Sequence, residues 1–324
     1  MNCFAYRLPL SDKIVYGASE DIRKGICGEG FVFTSFDNGK IFTIPGSMTP
    51  GIMEMNEYIA SNKNAGCMPD HIMSREEHTA GVNFIRESIR AGGLEKCVLA
   101  RAIRCSRNCD DAMDVFMRMH MSYPGAFVFL FSTAESGTWV GASPELLLKR
   151  DGYTLHTMAL AGTRASGVGG GWDSKNIREH KVVSKYLLNE LESAGLQPEA
   201  EPMTTAIAGP VEHLVTRISA TGDASVMIDA DNIALHLSPS PALAGYPKEK
   251  ALDIIRKIEG DRLFYGGFCG PRHSNGDFQY YVNIRSMCLS SEEGCIFAGG
   301  GIMAESDPNM EWEETEKKAS TLNL

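Results

Sequence analysis

Residues 298–318 read AGGGIMAESDPNMEWEETEKK. Three glycines close an apolar strand pattern, GCIFAGGG, and Pro308 then opens a helix. In that helix Glu311 and Glu314 stand three apart and face one way, with Lys318 one turn further on. Glu313 and Glu316 fall outside that face and read as solvated residues. A strand that hands glycines to a carboxylate-bearing helix is either the start of an acidic tail or one wall of a site.

Working outward from this unit, the chain repeats strand pairs and helix blocks. Within residues 1–70, KIVYGAS, GFVFTSF and KIFTIPG read as short strands and form an edge or lid region. Ser74 and Glu77 make a capping box for a helix that carries Val82, Phe84, Ile85 and Ile89 at helical spacing and stops at Gly92 and Gly93. KCVLARAIRCS is a strand, Ala112–Met121 a helix, and FVFLFS with TWVGASPELLL a hairpin, followed by the strand TLHTMALAG. Ser174–Leu196 is a long helix, TRISATG a strand, and Pro247–Glu259 a helix with Pro in its first turn. RLFYGGFCG, FQYYVNIRSMCL and GCIFAGGG are the last three strands. Adjacent antiparallel-looking pairs with helices in blocks predict an α+β fold of layered sheets rather than a doubly wound parallel sheet. Residues 71–324 would hold the site, in one structural domain with the rest. GVGGG at 167–171 lacks the GK[ST] ending of a phosphate loop and reads as a flexible loop.

The 324 residues are 43% hydrophobic and 22% charged, enough for a large core. The net charge of −10 argues against a nucleic-acid partner, and an anionic substrate would need a local cationic patch or a metal ion. No apolar run approaches membrane-spanning length, and MNCFAYRLPL lacks the basic start of an export signal. Nine scattered cysteines without a paired-ligand spacing read as reduced thiols in a cytoplasm. Nothing here decides between monomer and dimer.

Four stretches could carry chemistry. Lys96 opens the strand KCVLAR, where burial would suit an amine for proton transfer. In GASPELLL, Glu145 begins an apolar run, and such surroundings let a carboxyl hold its proton near neutrality. Asn176 and Glu179 share a helix face, as do Glu311 and Glu314, and two such faces would suit magnesium. Taken singly, each group also fits a solvated surface.

Together, KCVLAR, GASPELLL, ALAGTR, the EH of IREHKVV, EHL, PSPALAGYP, RLFYGGFCG, VNIRSM and the quoted segment resemble the chorismate-utilising enzymes, collinearly over roughly residues 74–322. Within that family the resemblance is to the isochorismate synthases of menaquinone and siderophore biosynthesis. It implies two packed sheets flanked by helices, a magnesium-dependent cleft between them, and chorismate as substrate. It further implies Glu179 and Glu314 as direct metal ligands, with Glu311 acting through water. Asn176 stands where relatives often carry an acid, which leaves the outer metal shell on that side open. Arg285, Tyr265 and a glycine turn at Gly299–Gly301 would bind the enolpyruvyl carboxylate, Lys318 would add positive charge, and Gly162, Thr163 and His213 would line the ring.

The resemblance also sorts the reaction. Water adds at C2 of chorismate, reversibly, while the C4 hydroxyl leaves, with Lys96 as general base and Glu145 as general acid. Anthranilate synthases usually carry Gln at the Lys96 position, and aminodeoxychorismate synthases a nucleophilic Lys at that of Ala161. Salicylate synthases tend to carry Thr where this chain has Ala242, so stopping at isochorismate is favoured. Salicylate synthesis, or chorismate binding without catalysis, are the alternatives.

Overall fold

The structure is a computed structural model that describes residues 1–63, 65, 68–208 and 211–322; Cys67 lies outside the described residues. Two antiparallel sheets form its frame. In spatial order the first comprises Gly245–Tyr246, Lys96–Cys105, Gly294–Ile302, Ser286–Leu289, Gly137–Ser143, Phe127–Thr133, Asn2–Arg7 and Ile14–Ser19. The second runs Gln197–Ala200, Val211–Thr221, Thr154–Ala165, Leu146–Asp151, Phe278–Val282, Phe268–Arg272, Gly30–Thr34, Ile41–Ile44 and Arg23–Lys24, with Thr204–Ala208 also paired to Val211–Thr221.

Side-chain alternation along a strand explains how the sheets pack. Phe127, Phe129 and Phe131 join an aromatic core with Phe31, Phe33 and Trp139, drawn from both sheets. Val128 and Leu130 point the other way, onto Val115, Phe116 and Met119 of the helix Ala112–Ser122. Leu99 and Cys97 likewise face the core that holds the helices, whereas Ala100 and Ala102 face the aromatic layer.

Two segments that read as single strands are each divided between the sheets. TWVGASPELLL breaks at Pro144: Gly137–Ser143 pairs in the first sheet and Leu146–Asp151 in the second. Proline has no N–H for a ladder, which is why the strand stops there. FQYYVNIRSMCL breaks likewise, with Phe278–Val282 in the second sheet and Ser286–Leu289 in the first. Arg285 sits at that crossing with φ +51°, a left-handed conformation that costs a non-glycine residue about 1–3 kcal/mol. RLFYGGFCG is also shorter as a strand than its pattern suggests. Only Phe268–Arg272 pairs, and the preceding residues turn through Leu263 at φ +54° and Gly266 at φ +83°.

The N-terminal strands lie at one end of each sheet, Asn2–Arg7 and Ile14–Ser19 in the first and Arg23–Lys24, Gly30–Thr34 and Ile41–Ile44 in the second, and Ile52–Ser61 is a helix. Among the described residues no disulfide forms, and no helix is long and apolar enough to cross a membrane.

Candidate active site

A cleft of about 640 Å³ opens where the chain crosses between the sheets. Lys96, Glu145, Gly162, Thr163, Glu179, His213, Ala242, Tyr265, Arg285, Gly299, Gly301 and Lys318 all line it, and among the described residues none of its lining comes from 1–70. Glu311 and Glu314 stand just behind its wall at Gly300.

Both divided segments deliver a functional side chain here. At the first crossing Glu145 is only 4% exposed. Burial raises its pKa to about 8, against the pull of the Lys96 and Lys318 ammoniums, so it holds a proton at neutral pH. At the second crossing the guanidinium of Arg285 donates to Nε2 of His213 at 3.2 Å and to Oγ1 of Thr321 at 3.2 Å. Burial lowers its pKa. Among the described residues no carboxylate makes an ion pair with Arg285, so its fork is available to an anionic ligand. Tyr265 packs beside it, stacked on Phe297 at 5.3 Å, and burial pushes its phenol up to about 12.

His213 is neutral here: burial, then the charges of Arg285 and Lys318, take its pKa down to about 3. Its Nε2 accepts from Arg285, so Nδ1 carries the proton and donates to the Gly162 carbonyl at 3.1 Å. Gly162 is the extra residue of a bulge between Ala161 and Thr163, at φ +78°. The bulge re-aims the strand beside the cleft. Asn176 fastens it, its Oδ1 accepting from the Thr163 N–H at 3.0 Å while its Nδ2 donates to Asp173 at 2.8 Å. Asn176 thus holds the bulge beside the cleft.

The helix Ser174–Ser193 buries Asn176, Glu179, His180, Val183, Leu187 and Leu191 on one stripe, which carries Glu179 to the cleft. The helix Pro308–Ser320, capped by Asp307, buries Glu311, Thr315 and Ala319. Glu313 and Glu316 are exposed, although Glu316 pairs with Arg101.

Gly299, Gly300 and Gly301 are not a turn. They lie within the strand Gly294–Ile302, paired with Ala100, Leu99 and Val98. What they contribute is room. A Cβ on Gly301 would stand 2.0 Å from Oε1 of Glu179, and one on Gly300 would stand 3.0 Å from Oε2 of Glu311. Carboxylates therefore press against the bare backbone, Glu179 from the cleft at Gly301 and Glu311 at Gly300, on the opposite face of the strand.

Each of these carboxylates meets an ammonium. Lys96 lies 2.9 Å from Glu179, Lys175 2.6 Å from Glu311, and Lys318 2.7 Å from Glu314. Lys318 also donates to the Gly299 carbonyl at 2.7 Å. Burial and the neighbouring Glu314 charge push Glu311 up to about 6. Burial acts on Glu314 too, but the Lys318 and Lys175 charges outweigh it and hold that carboxyl below its usual value. Lys175 went unnoticed in the sequence, although its place four residues before Glu179 put it on the same face.

A hard divalent cation fits this donor set. Glu311 Oε2 is buried without a hydrogen-bond partner and faces Gly300, and the acidic ligands are all oxygens. Among the described residues no three carboxylate, imidazole or thiol groups close around one point. Magnesium needs no such cage, since one or two carboxylates with waters and substrate oxygens suffice.

A buried, protonated acid, a buried lysine and an arginine with no carboxylate partner among the described residues share one cleft, an arrangement suited to acid–base chemistry on an anionic ligand. A family model described as chorismate binding enzyme matches residues 52–323. Isochorismate synthase MenF of Pasteurella multocida (strain Pm70) is 34% identical over 256 residues, covering 73% of this chain and 58% of that protein. The salicylate biosynthesis isochorismate synthase of Pseudomonas aeruginosa is 33% identical over 282 residues, covering 81% of this chain and 57% of that protein. The solved structure of the menaquinone-specific isochorismate synthase MenF from Escherichia coli superposes with a TM-score of 0.79 at 23% identity, over 100% of this chain and 88% of that one. The chain belongs to the chorismate-binding enzymes. It spans less than two thirds of the length of either sequence relative described here.

Proposed function

We propose that the protein is an isochorismate synthase: it converts chorismate to isochorismate by adding water at C2 as the C4 hydroxyl departs. The observation that carries this reading is Glu145, a carboxyl raised to about 8 and placed in one cleft with the buried Lys96 and the unpaired Arg285. The names of its relatives, isochorismate synthases from two bacteria, support it.

In this reading Arg285 and Tyr265 grip the enolpyruvyl carboxylate, and neutral His213 holds the guanidinium in place. Lys96 takes a proton from the attacking water, whose oxygen bonds to C2. The two ring double bonds shift, the C4–O bond breaks, and Glu145 gives its proton to the leaving oxygen, so that water enters and water leaves. Glu179 and Glu314 would hold magnesium, with Glu311 acting through water. Bound magnesium supplies divalent charge for the ring carboxylate of the substrate.

Incubating the purified protein with chorismate and magnesium and separating the products tests this directly. Isochorismate alone is the expected product. Salicylate with pyruvate would make the protein a salicylate synthase, and no conversion would leave a chorismate-binding protein.

A further inference from the structure

Three lysines face the three carboxylates of the site, and they are not equivalent. Lys96 is 1% exposed and opens a central strand. Lys318 is tied to a backbone carbonyl as well as to Glu314. Lys175 makes its hydrogen bond to Glu311 Oε1 and is the most exposed of the three at 24%. It sits in the first turn of the helix Ser174–Ser193, shortly after the glycines at 167–171. At Gly167, Gly169, Gly170 and Gly171 a Cβ would meet nothing within 4 Å.

Glu311 is 2% exposed, has its second oxygen unpartnered, and lies close enough to Glu314 for the two charges to oppose each other. Two such carboxylates cannot both be ionised in a buried place without a cation. Lys175 supplies one at Glu311 Oε1, leaving Oε2 unpartnered. An ammonium 2.6 Å from Glu311 and a divalent cation held beside that carboxylate would repel each other strongly in a region poor in water.

We propose that Lys175 is a displaceable counter-cation of this carboxylate cluster, which must swing off Glu311 before a divalent cation binds and so sets the metal affinity of the resting enzyme. The proposal rests on the magnesium reading of the site. It gives the substrate-free protein a neutral cluster at the expense of weaker metal binding. It also assigns Lys175 a role separate from the chemistry at C2 and C4.

The test is calorimetric titration of the full chain with magnesium chloride, without chorismate, for the wild type, Lys175→Met and Lys175→Arg. Lys175→Met should bind magnesium at least tenfold more tightly, and Lys175→Arg should stay within a few-fold of the wild type. Thermal unfolding gives a second readout: Lys175→Met should unfold at lower temperature than the wild type without metal, and saturating magnesium should close that gap. Equal or weaker magnesium binding by Lys175→Met would overturn the proposal while leaving the metal site intact, as would Lys175→Arg binding as tightly as Lys175→Met. Absence of magnesium binding in all three proteins would instead remove the metal reading and the proposal together.

Discussion

Lys96 Nζ lies 2.9 Å from Glu179 Oε1, and a Cβ at Gly301 would collide with that oxygen and with Lys96 Cε. The proposed base therefore shares its carboxylate partner with the proposed metal site.

Lys96→Ala should reduce turnover by about 10²–10⁴, the usual worth of a positioned base, while chorismate still binds in a direct binding assay. The same change strips Glu179 of its buried partner and should lower stability by about 3–5 kcal/mol in chemical denaturation. Full activity would remove Lys96 from the mechanism.

Activity should depend on a protonated Glu145. With its carboxyl raised to about 8, kcat/KM should decline as pH rises through that value. Stability follows the same sign. The folded state holds a proton that the unfolded chain releases near its ordinary value, so this contribution is complete at low pH and is lost as pH climbs through about 8. Glu145→Gln should abolish turnover and flatten that part of the pH–stability curve; an unchanged pH–rate profile in the wild type would exclude Glu145 as the acid.

Arg285→Ala should weaken chorismate binding by about 30-fold or more, as expected for losing one side of a buried charge pair worth 2–5 kcal/mol. Its effect should fall on KM, with the fold intact by circular dichroism. Unaltered KM would place the carboxylate elsewhere.

Gly301→Ala introduces a Cβ 2.0 Å from Glu179 and 2.8 Å from the Lys96 side chain. The resulting overpacking should cost about 1–3 kcal/mol of stability, and turnover should fall because both functional groups are displaced. Comparing it with Gly299→Ala, where the nearest atom is an Ala100 methyl at 3.1 Å, separates the two effects. Equal losses in the two variants would mean that strand packing alone is responsible.

Chelation should stop turnover, and added magnesium should restore it. Activity that persists in excess chelator would eliminate the metal from the reaction.

The residues that meet at the cleft were legible as residue types in order. Lys96, Glu145, Arg285 and the helix faces of Glu179, Glu311 and Glu314 could be picked out from spacing and resemblance. Spacing could not place the sheet crossings at Pro144 and at Asn283–Arg285, because an apolar window looks the same whichever sheet its ends join. The pattern rightly made GCIFAGGG a strand, whereas the resemblance implied a turn at Gly299–Gly301; neither says that carboxylates from two helices press against these glycines. Asn176 shows the same limit: the sequence marked it only as a missing acid, and its amide holding Thr163 was visible only in three dimensions.

By itself the sequence determined the periodicities, the caps and the functional groups available, because these depend on neighbours within a turn or a strand. Which groups meet, and in which charge state, was decided by the tertiary structure. Glu145 keeps its proton because two sheets bury it, and Lys175 faces Glu311 because two helices 136 residues apart along the chain converge behind one glycine strand. Desolvation and Coulomb interaction act through space, so no reading along the chain could supply them.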